Sequence, residues 1–238
     1  MIRGRKVIGI IGGMGPMATA DLYRKIIENT DASTDQEHLH ILIDSDTDIP
    51  DRTACILEGS DAPLPYLIAS AKRLVSAGAD LLIMPCNTAH HFYERLQASS
   101  DVPVLNMPEL SAKYCSEKGY DCVGILATEG ALSAGVCDPY FKAYGIRFVL
   151  PSRQGVKKLM RLIYGEVKAG KPCHPELLSR ELLNMALEGA EAFLLACTEL
   201  PLVFAGQNGP LPFIDPTLIL ARAAIEAAGG KLKPESFS

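Results

Sequence analysis

The chain has 238 residues, a formal net charge of −5 and 48% hydrophobic residues, values ordinary for a soluble globular protein with room for one large or two small domains. No apolar stretch reaches the roughly 20 residues needed to span a bilayer. Lys and Arg are scattered apart from Arg3–Lys6, so neither a membrane nor a nucleic acid is expected as a partner. The seven cysteines include no C-x-x-C pair, which argues against a disulfide framework and a zinc site; no metal is expected, and free thiols point to the reducing cytoplasm.

The start, from Met1 to Lys6 and on to Ala18-Thr19-Ala20, imitates a signal peptide. Gly12, Gly13, Gly15 and Pro16 interrupt its apolar part, and its removal would delete the best first strand. In chain order, strands are expected near 7–12, 40–44, 80–84 and 102–106, then near 122–127, 146–150, 192–196 and 211–214. Helical patterns fill the gaps: Ala18–Asn29, Pro63–Ala77, Thr88–Gln97, Pro108–Lys118, Pro139–Tyr144, Val156–Lys168, Pro175–Leu187 and Thr217–Ala228. Strands alternating with helices predict an α/β fold with parallel sheets.

The chain also repeats itself. Ala79–Thr88 resembles Ala190–Glu199, each an apolar run followed by a cysteine, Cys86 or Cys197. Val7–Gly13 resembles Cys122–Thr128, and Val102–Pro108 resembles Gly209–Pro216. Three pairs in the same order predict two pseudo-symmetric α/β domains, each with a four-stranded, mainly parallel sheet flanked by helices. The expected division is 1–106 plus 215–238 for the first domain and 107–214 for the second, with the active site in the cleft between them. An unbroken apolar run fits a strand buried on both faces, and open α/β sheets build their sites at strand carboxyl ends. Two thiols there, facing one substrate from opposite sides, suit moving a proton off one face of a carbon and onto the other.

Each cysteine precedes a helix or turn, which predicts a lowered pKa and a usable thiolate near neutral pH. Cys55, Cys115, Cys122, Cys137 and Cys173 read as inert packing. The turn Gly12-Gly13-Met14-Gly15-Pro16 leads from a strand into a helix, where backbone N–H groups can meet an anion. It lacks the G-x-G-x-x-G and Gly-Lys-Ser/Thr patterns of nucleotide loops, so a small carboxylate is the better guest.

Together, Gly12–Pro16 with Ala18-Thr19, Pro50-Asp51-Arg52-Thr53, Pro85-Cys86-Asn87-Thr88-Ala89-His90 and Ala196-Cys197-Thr198-Glu199-Leu200 resemble the aspartate/glutamate racemase superfamily, most of all its aspartate racemase branch. The resemblance runs over nearly the whole chain. It implies interconversion of L- and D-aspartate, with glutamate as a further substrate, by a two-base mechanism without pyridoxal phosphate or any other cofactor. Cys86 and Cys197 would be the catalytic bases. Met14, Asn87, Thr88, Thr128, Thr198 and Glu199 would bind or orient substrate, although Thr and Asn after a strand also suit helix capping. Arg52 and Lys168 would recognise the acidic substrate, Arg52 as a planar fork on its side-chain carboxylate. His90 and His91 read as packing or surface.

A homodimer is a further implication of the family. Where the family has Thr, this chain has Ala131, which leaves the choice between aspartate, glutamate and a wider range open. Other enzymes of the superfamily are alternatives: a hydantoin racemase, a maleate isomerase, a malonate decarboxylase or a broad-specificity amino-acid racemase. A decarboxylase keeps one cysteine, and a non-catalytic binding protein needs no paired thiols.

Overall fold

The computed structural model describes residues 4–234; the first part of the signal-like start, Met1–Arg3, lies outside them. Two parallel sheets form. The first has the order β2-β1-β3, built from β1 (Ile8–Gly12), β2 (Ile41–Ser45) and β3 (Leu81–Ile83). The second has the order β5-β4-β6-β7, built from β4 (Cys122–Ile125), β5 (Arg147–Val149), β6 (Ala192–Leu194) and β7 (Phe213–Ile214). β1, β3, β4 and β6 are buried throughout, as their apolar runs require.

The expected fourth strand of the first sheet shrinks to one parallel bridge, Leu82 with Val104. Pro103 accepts a hydrogen bond from Leu82 N at 2.8 Å, and Leu105 N donates back to Leu82 O at 2.9 Å. Proline has no N–H to continue a ladder, and Asn106 immediately caps the next helix by accepting from Glu109 N at 3.1 Å.

Eleven α-helices are named along the described chain: α1 (Pro16–Asn29), α2 (Arg52–Leu57), α3 (Pro63–Ser76), α4 (Tyr93–Ala98), α5 (Met107–Glu117), α6 (Glu129–Ser133), α7 (Asp138–Ala143), α8 (Arg153–Met160), α9 (Ser179–Leu187), α10 (Leu200–Phe204) and α11 (Pro216–Ala227). Three are additions to the sequence reading: α2, α6 and α10. Three predicted helices are composite. Thr88–Phe92 is a 3-10 helix before α4, Pro175–Leu178 is another before α9, and α8 continues as a π-helix over Arg161–Val167.

The core has a part on each sheet. Leu220, Ala221, Ala224 and Ile225 of α11 pack with Ile8, Ile10, Leu22, Ile26 and Ile83, so the last helix returns to the first sheet. Asp215 starts that helix by accepting from Thr217 N at 2.8 Å, and it also pairs with the buried Lys25 of α1. None of the described helices is long and apolar enough to cross a membrane.

Candidate active site

Cys86 follows the carboxyl end of β3 and is 6% exposed. His90 pins its backbone. One ring nitrogen, Nδ1, lies 2.8 Å from Cys86 O, and the other, Nε2, accepts from Met107 N at 3.2 Å. Only the neutral tautomer with a proton on Nδ1 satisfies both bonds. Burial, partly opposed by hydrogen bonding to backbone, pushes the His90 pKa down to about 4 and keeps the ring neutral. His90 is thus a structural brace, in keeping with the packing role read from sequence, and His91 is exposed.

Arg52 opens α2, whose N-cap is Asp51, accepting from Ala54 N at 2.8 Å. The Arg52 guanidinium is buried. Nη1 donates to Ile49 O at 3.1 Å and Pro50 O at 3.0 Å, and Nη2 donates to Met14 O at 3.3 Å. Nε has no hydrogen-bond partner among the described residues. Burial works against the charge, but Cys86 and then Asp51 hold the Arg52 pKa above its ordinary value. A cation therefore stands beside the first sulfur.

Cys197 follows the carboxyl end of β6 and is 5% exposed. Its thiol donates to Glu199 Oε2 at 3.0 Å. Burial first, and the Glu199 carboxylate second, push its pKa well above the usual thiol value, while Lys168 pulls the other way. The expectation of a usable thiolate near neutral pH therefore fails at Cys197. The helix that follows, α10, is only five residues long, and its weak N-terminal field is outweighed by desolvation and a full negative charge. Lys168 Nζ lies 3.8 Å from Glu199 Oε1 and 4.4 Å from the centre of the Tyr164 ring.

Hydrogen bonds also join the two halves of the chain. Thr88 Oγ1 is 3.0 Å from Thr128 Oγ1, Thr198 Oγ1 donates to Pro85 O at 3.1 Å, and Tyr164 OH donates to Asp51 Oδ2 at 2.9 Å. The halves also touch at α2 and α6: a Cβ on Gly130 would lie 2.7 Å from Thr53 Cα, so only glycine permits that approach.

All ten residues singled out in the sequence line one cavity: Met14, Arg52, Cys86, Asn87, Thr88, Thr128, Lys168, Cys197, Thr198 and Glu199. Thr53 and Tyr164 complete the wall and were missed. Thr53 adjoins Arg52 in the quoted motif. Tyr164 precedes Lys168 by four residues, a spacing that places both on one helical face. Of the hydroxyls, Thr128 does cap a helix, accepting from Ala131 N at 3.3 Å. Asn87 makes no side-chain cap, and both polar atoms of its buried amide lack partners among the described residues. Such groups cost about 1–3 kcal/mol each when left unpaired, which marks Asn87 as a contact for a polar ligand.

Two sequence expectations change. In the glycine-rich turn, Gly13 N donates to Thr19 Oγ1 at 3.0 Å, so that amide is not free for an anion, and Met14 is the turn residue that lines the cavity. Gly13 has φ +91°, and a Cβ there would lie 2.2 Å from Asp46 O; the glycine is required by the backbone. Ala131 packs into the second core beside Val123 and Ile125 and does not line the cavity. A hydroxyl missing there is therefore not missing from the cavity wall.

A family model described as Asp/Glu/Hydantoin racemase matches residues 11–224. A broad specificity amino-acid racemase, RacX, of Bacillus subtilis is 26% identical over 230 residues, covering 92% of this chain and 96% of the relative. Among solved structures, the aspartate racemase of Picrophilus torridus superposes with a TM-score of 0.83 at 32% identity, covering 96% of each chain. An aspartate racemase homologue from Pyrococcus horikoshii gives 0.77 at 28% identity, covering 94% of this chain and 99% of the other. A match over most of the length, in sequence and in fold, shows that this chain belongs to the Asp/Glu/Hydantoin racemase family.

Proposed function

We propose that this protein is an amino-acid racemase that interconverts L- and D-aspartate, and with less selectivity glutamate, by a two-base mechanism without pyridoxal phosphate. The observation that carries this reading is the pair of thiols, Cys86 and Cys197, at matched strand ends of the two sheets and in the wall of one cavity. One sulfur, as thiolate, takes the Cα proton. The other, as thiol, gives a proton to the opposite face, and the roles exchange in the reverse direction.

Each sulfur has a group suited to one half of that cycle. Cys197 is held as a thiol by burial and Glu199, which suits proton donation. Cys86 has Arg52 beside it, which suits negative charge on sulfur. The second difficulty is the weak acidity of a carbon next to a carboxylate. Charge develops on that carboxylate as the proton leaves, so fixed donors there lower the barrier. The Asn87 amide supplies such donors, together with whichever of the Thr88 and Thr128 hydroxyls does not donate to the other.

Arg52 and Lys168 are the cations for the side-chain carboxylate. Three of the five guanidinium N–H groups are committed to carbonyls. The two left, on Nε and Nη2, form the side-on edge of the fork, enough for one carboxylate. That same commitment favours a second reading, a broader amino-acid range, because much of the arginine serves the protein itself. Chiral chromatography of a panel of amino acids in both enantiomers separates the two. The proposal predicts turnover of aspartate well above that of alanine or serine. Equal turnover of alanine gives the second reading, and no turnover of any amino acid overturns both.

A further inference from the structure

We propose that Tyr164 and Asp51 form a latch across the cavity that positions the two cations, Arg52 and Lys168, for a substrate bearing two carboxylates. The inference rests on the racemase reading for its substrate and on four observations for its geometry. The Tyr164 hydroxyl donates to Asp51 Oδ2 at 2.9 Å. The other carboxylate oxygen of Asp51 caps α2 by accepting from Ala54 N at 2.8 Å, and Arg52 is the first residue of that helix. Lys168 Nζ lies 4.4 Å from the centre of the Tyr164 ring, a cation–π contact. Finally, Tyr164 lies on the π-helix Arg161–Val167, where Lys168 N donates to Ile163 O at 3.0 Å, five residues back.

The π-helix matters to this arrangement. Such segments are rare and occur mostly as single turns at functional sites. Tyr164 on it and Lys168 at its end both line the cavity. One side chain thus touches both halves: its hydroxyl fixes the helix that carries Arg52, and its ring supports Lys168 beside Glu199. Burial pushes the Tyr164 pKa above its ordinary value, so the hydroxyl keeps its proton and remains a donor throughout the working pH range. Two other cross-links, Thr88 with Thr128 and Thr198 with Pro85, hydrogen-bond neither Arg52 nor Lys168 to the other half. Tyr164 and Asp51 are positioning residues in this account, since each acts on the substrate through a neighbour.

The test is a double-mutant cycle on the full chain. Tyr164→Phe keeps the ring and loses the hydroxyl. Asp51→Ser keeps a cap for α2 and loses the reach to Tyr164. Each change is expected to lower kcat/KM for aspartate about tenfold, mainly through KM, and the double variant should fall no further. Asp51→Asn keeps both the cap and a hydrogen bond to the hydroxyl, and should stay within about threefold of wild type by the same reasoning. Additive losses, or losses in kcat alone, overturn the latch. A second arm needs no substrate: alkylation of Cys86 and Cys197 by iodoacetamide, followed by peptide mass spectrometry, should be faster in Tyr164→Phe and in Asp51→Ser. Unchanged alkylation in both also overturns it. A wild type that racemises nothing removes the racemase reading, while the alkylation arm still decides the latch.

Discussion

The two cysteines occupy equivalent places in a repeated architecture and stand in opposite electrical surroundings. Cys86 has the Arg52 cation beside it and a neutral His90 holding its carbonyl. Cys197 donates a hydrogen bond to a carboxylate, Glu199, with Lys168 behind that carboxylate. Symmetry of the strands thus supplies two sulfurs at one cavity, and asymmetry of the neighbours sets a cation beside one and a carboxylate beside the other. In a two-base racemase one group must be a base at the moment the other is an acid, and unlike neighbours suit unlike roles.

The comparison breaks outright if one thiol is dispensable. Cys86→Ala and Cys197→Ala are each expected to lower racemisation of aspartate by on the order of a thousandfold or more, since a positioned acid or base contributes about 10²–10⁴. Circular dichroism should show the fold intact. Exchange of the α-hydrogen in D₂O adds detail: each Cys→Ser variant should exchange it from one enantiomer only, and from opposite enantiomers. Near-normal racemisation in either alanine variant removes the two-base model.

A smaller loss is expected at the cations. Arg52→Ala should reduce kcat/KM for aspartate by about ten- to a hundredfold, the cost of one charge-assisted contact. Arg52→Lys keeps the charge but cannot hold three carbonyls and a ligand together, so it should recover only part. Lys168→Met should show a loss of the same kind, with Cys197 harder to ionise, because Lys168 lowers its pKa. If Arg52→Ala leaves the aspartate value unchanged, Arg52 has no part in recognition.

Glu199 separates the two thiols most directly. Iodoacetamide attacks the thiolate, so alkylation of wild-type Cys197 should keep rising as pH passes 9, the ordinary thiol value. Glu199→Gln removes the second-largest cause of the upward shift and should move that curve to lower pH, several-fold faster at pH 8. Burial, the largest cause, stays in place, so the curve should not return fully to the ordinary value. A shift to higher pH would show that Glu199 acts by some route other than its charge.

Much of this was legible in the sequence because buried parallel strands announce themselves. Ala190–Cys197 and Ala79–Cys86 are long apolar runs, and a strand buried on both faces leaves no alternation to obscure them. Site residues that sit directly at strand ends were legible for the same reason. The bridge at Val104 was overread as a strand, since the apolar pattern does not show that Pro103 lacks a donor. Short helices were underread: α2, α6 and α10 have six, five and five residues, too few for a periodic face to repeat. Tyr164 was missed because its partners, Asp51 and Lys168, come from distant and adjacent parts of the chain at once. The protonation of Cys197 was misread because burial and the reach of Glu199 are tertiary facts, invisible to a rule about helix ends.

A last expected effect concerns stability and not activity, and again marks the Cys86 side. His90 accepts from Met107 N and so must be neutral in the folded state. Its folded pKa of about 4 lies below the ordinary imidazole value of 6.5. The unfolded chain therefore binds a proton in acid that the folded chain refuses. Stability from this group is fully present above about pH 6.5 and is lost as pH falls toward 4. Between pH 7 and pH 5 the loss should be on the order of 2 kcal/mol. Urea unfolding at the two pH values measures it in wild type, and in His90→Gln the part due to this group should vanish. Beside Cys197 the titratable neighbours include Glu199, Lys168 and Tyr164, none of them an imidazole. If wild type and His90→Gln lose equal stability on acidification, the ring is not the neutral brace that the geometry assigns, and the Cys86 loop is held by something else.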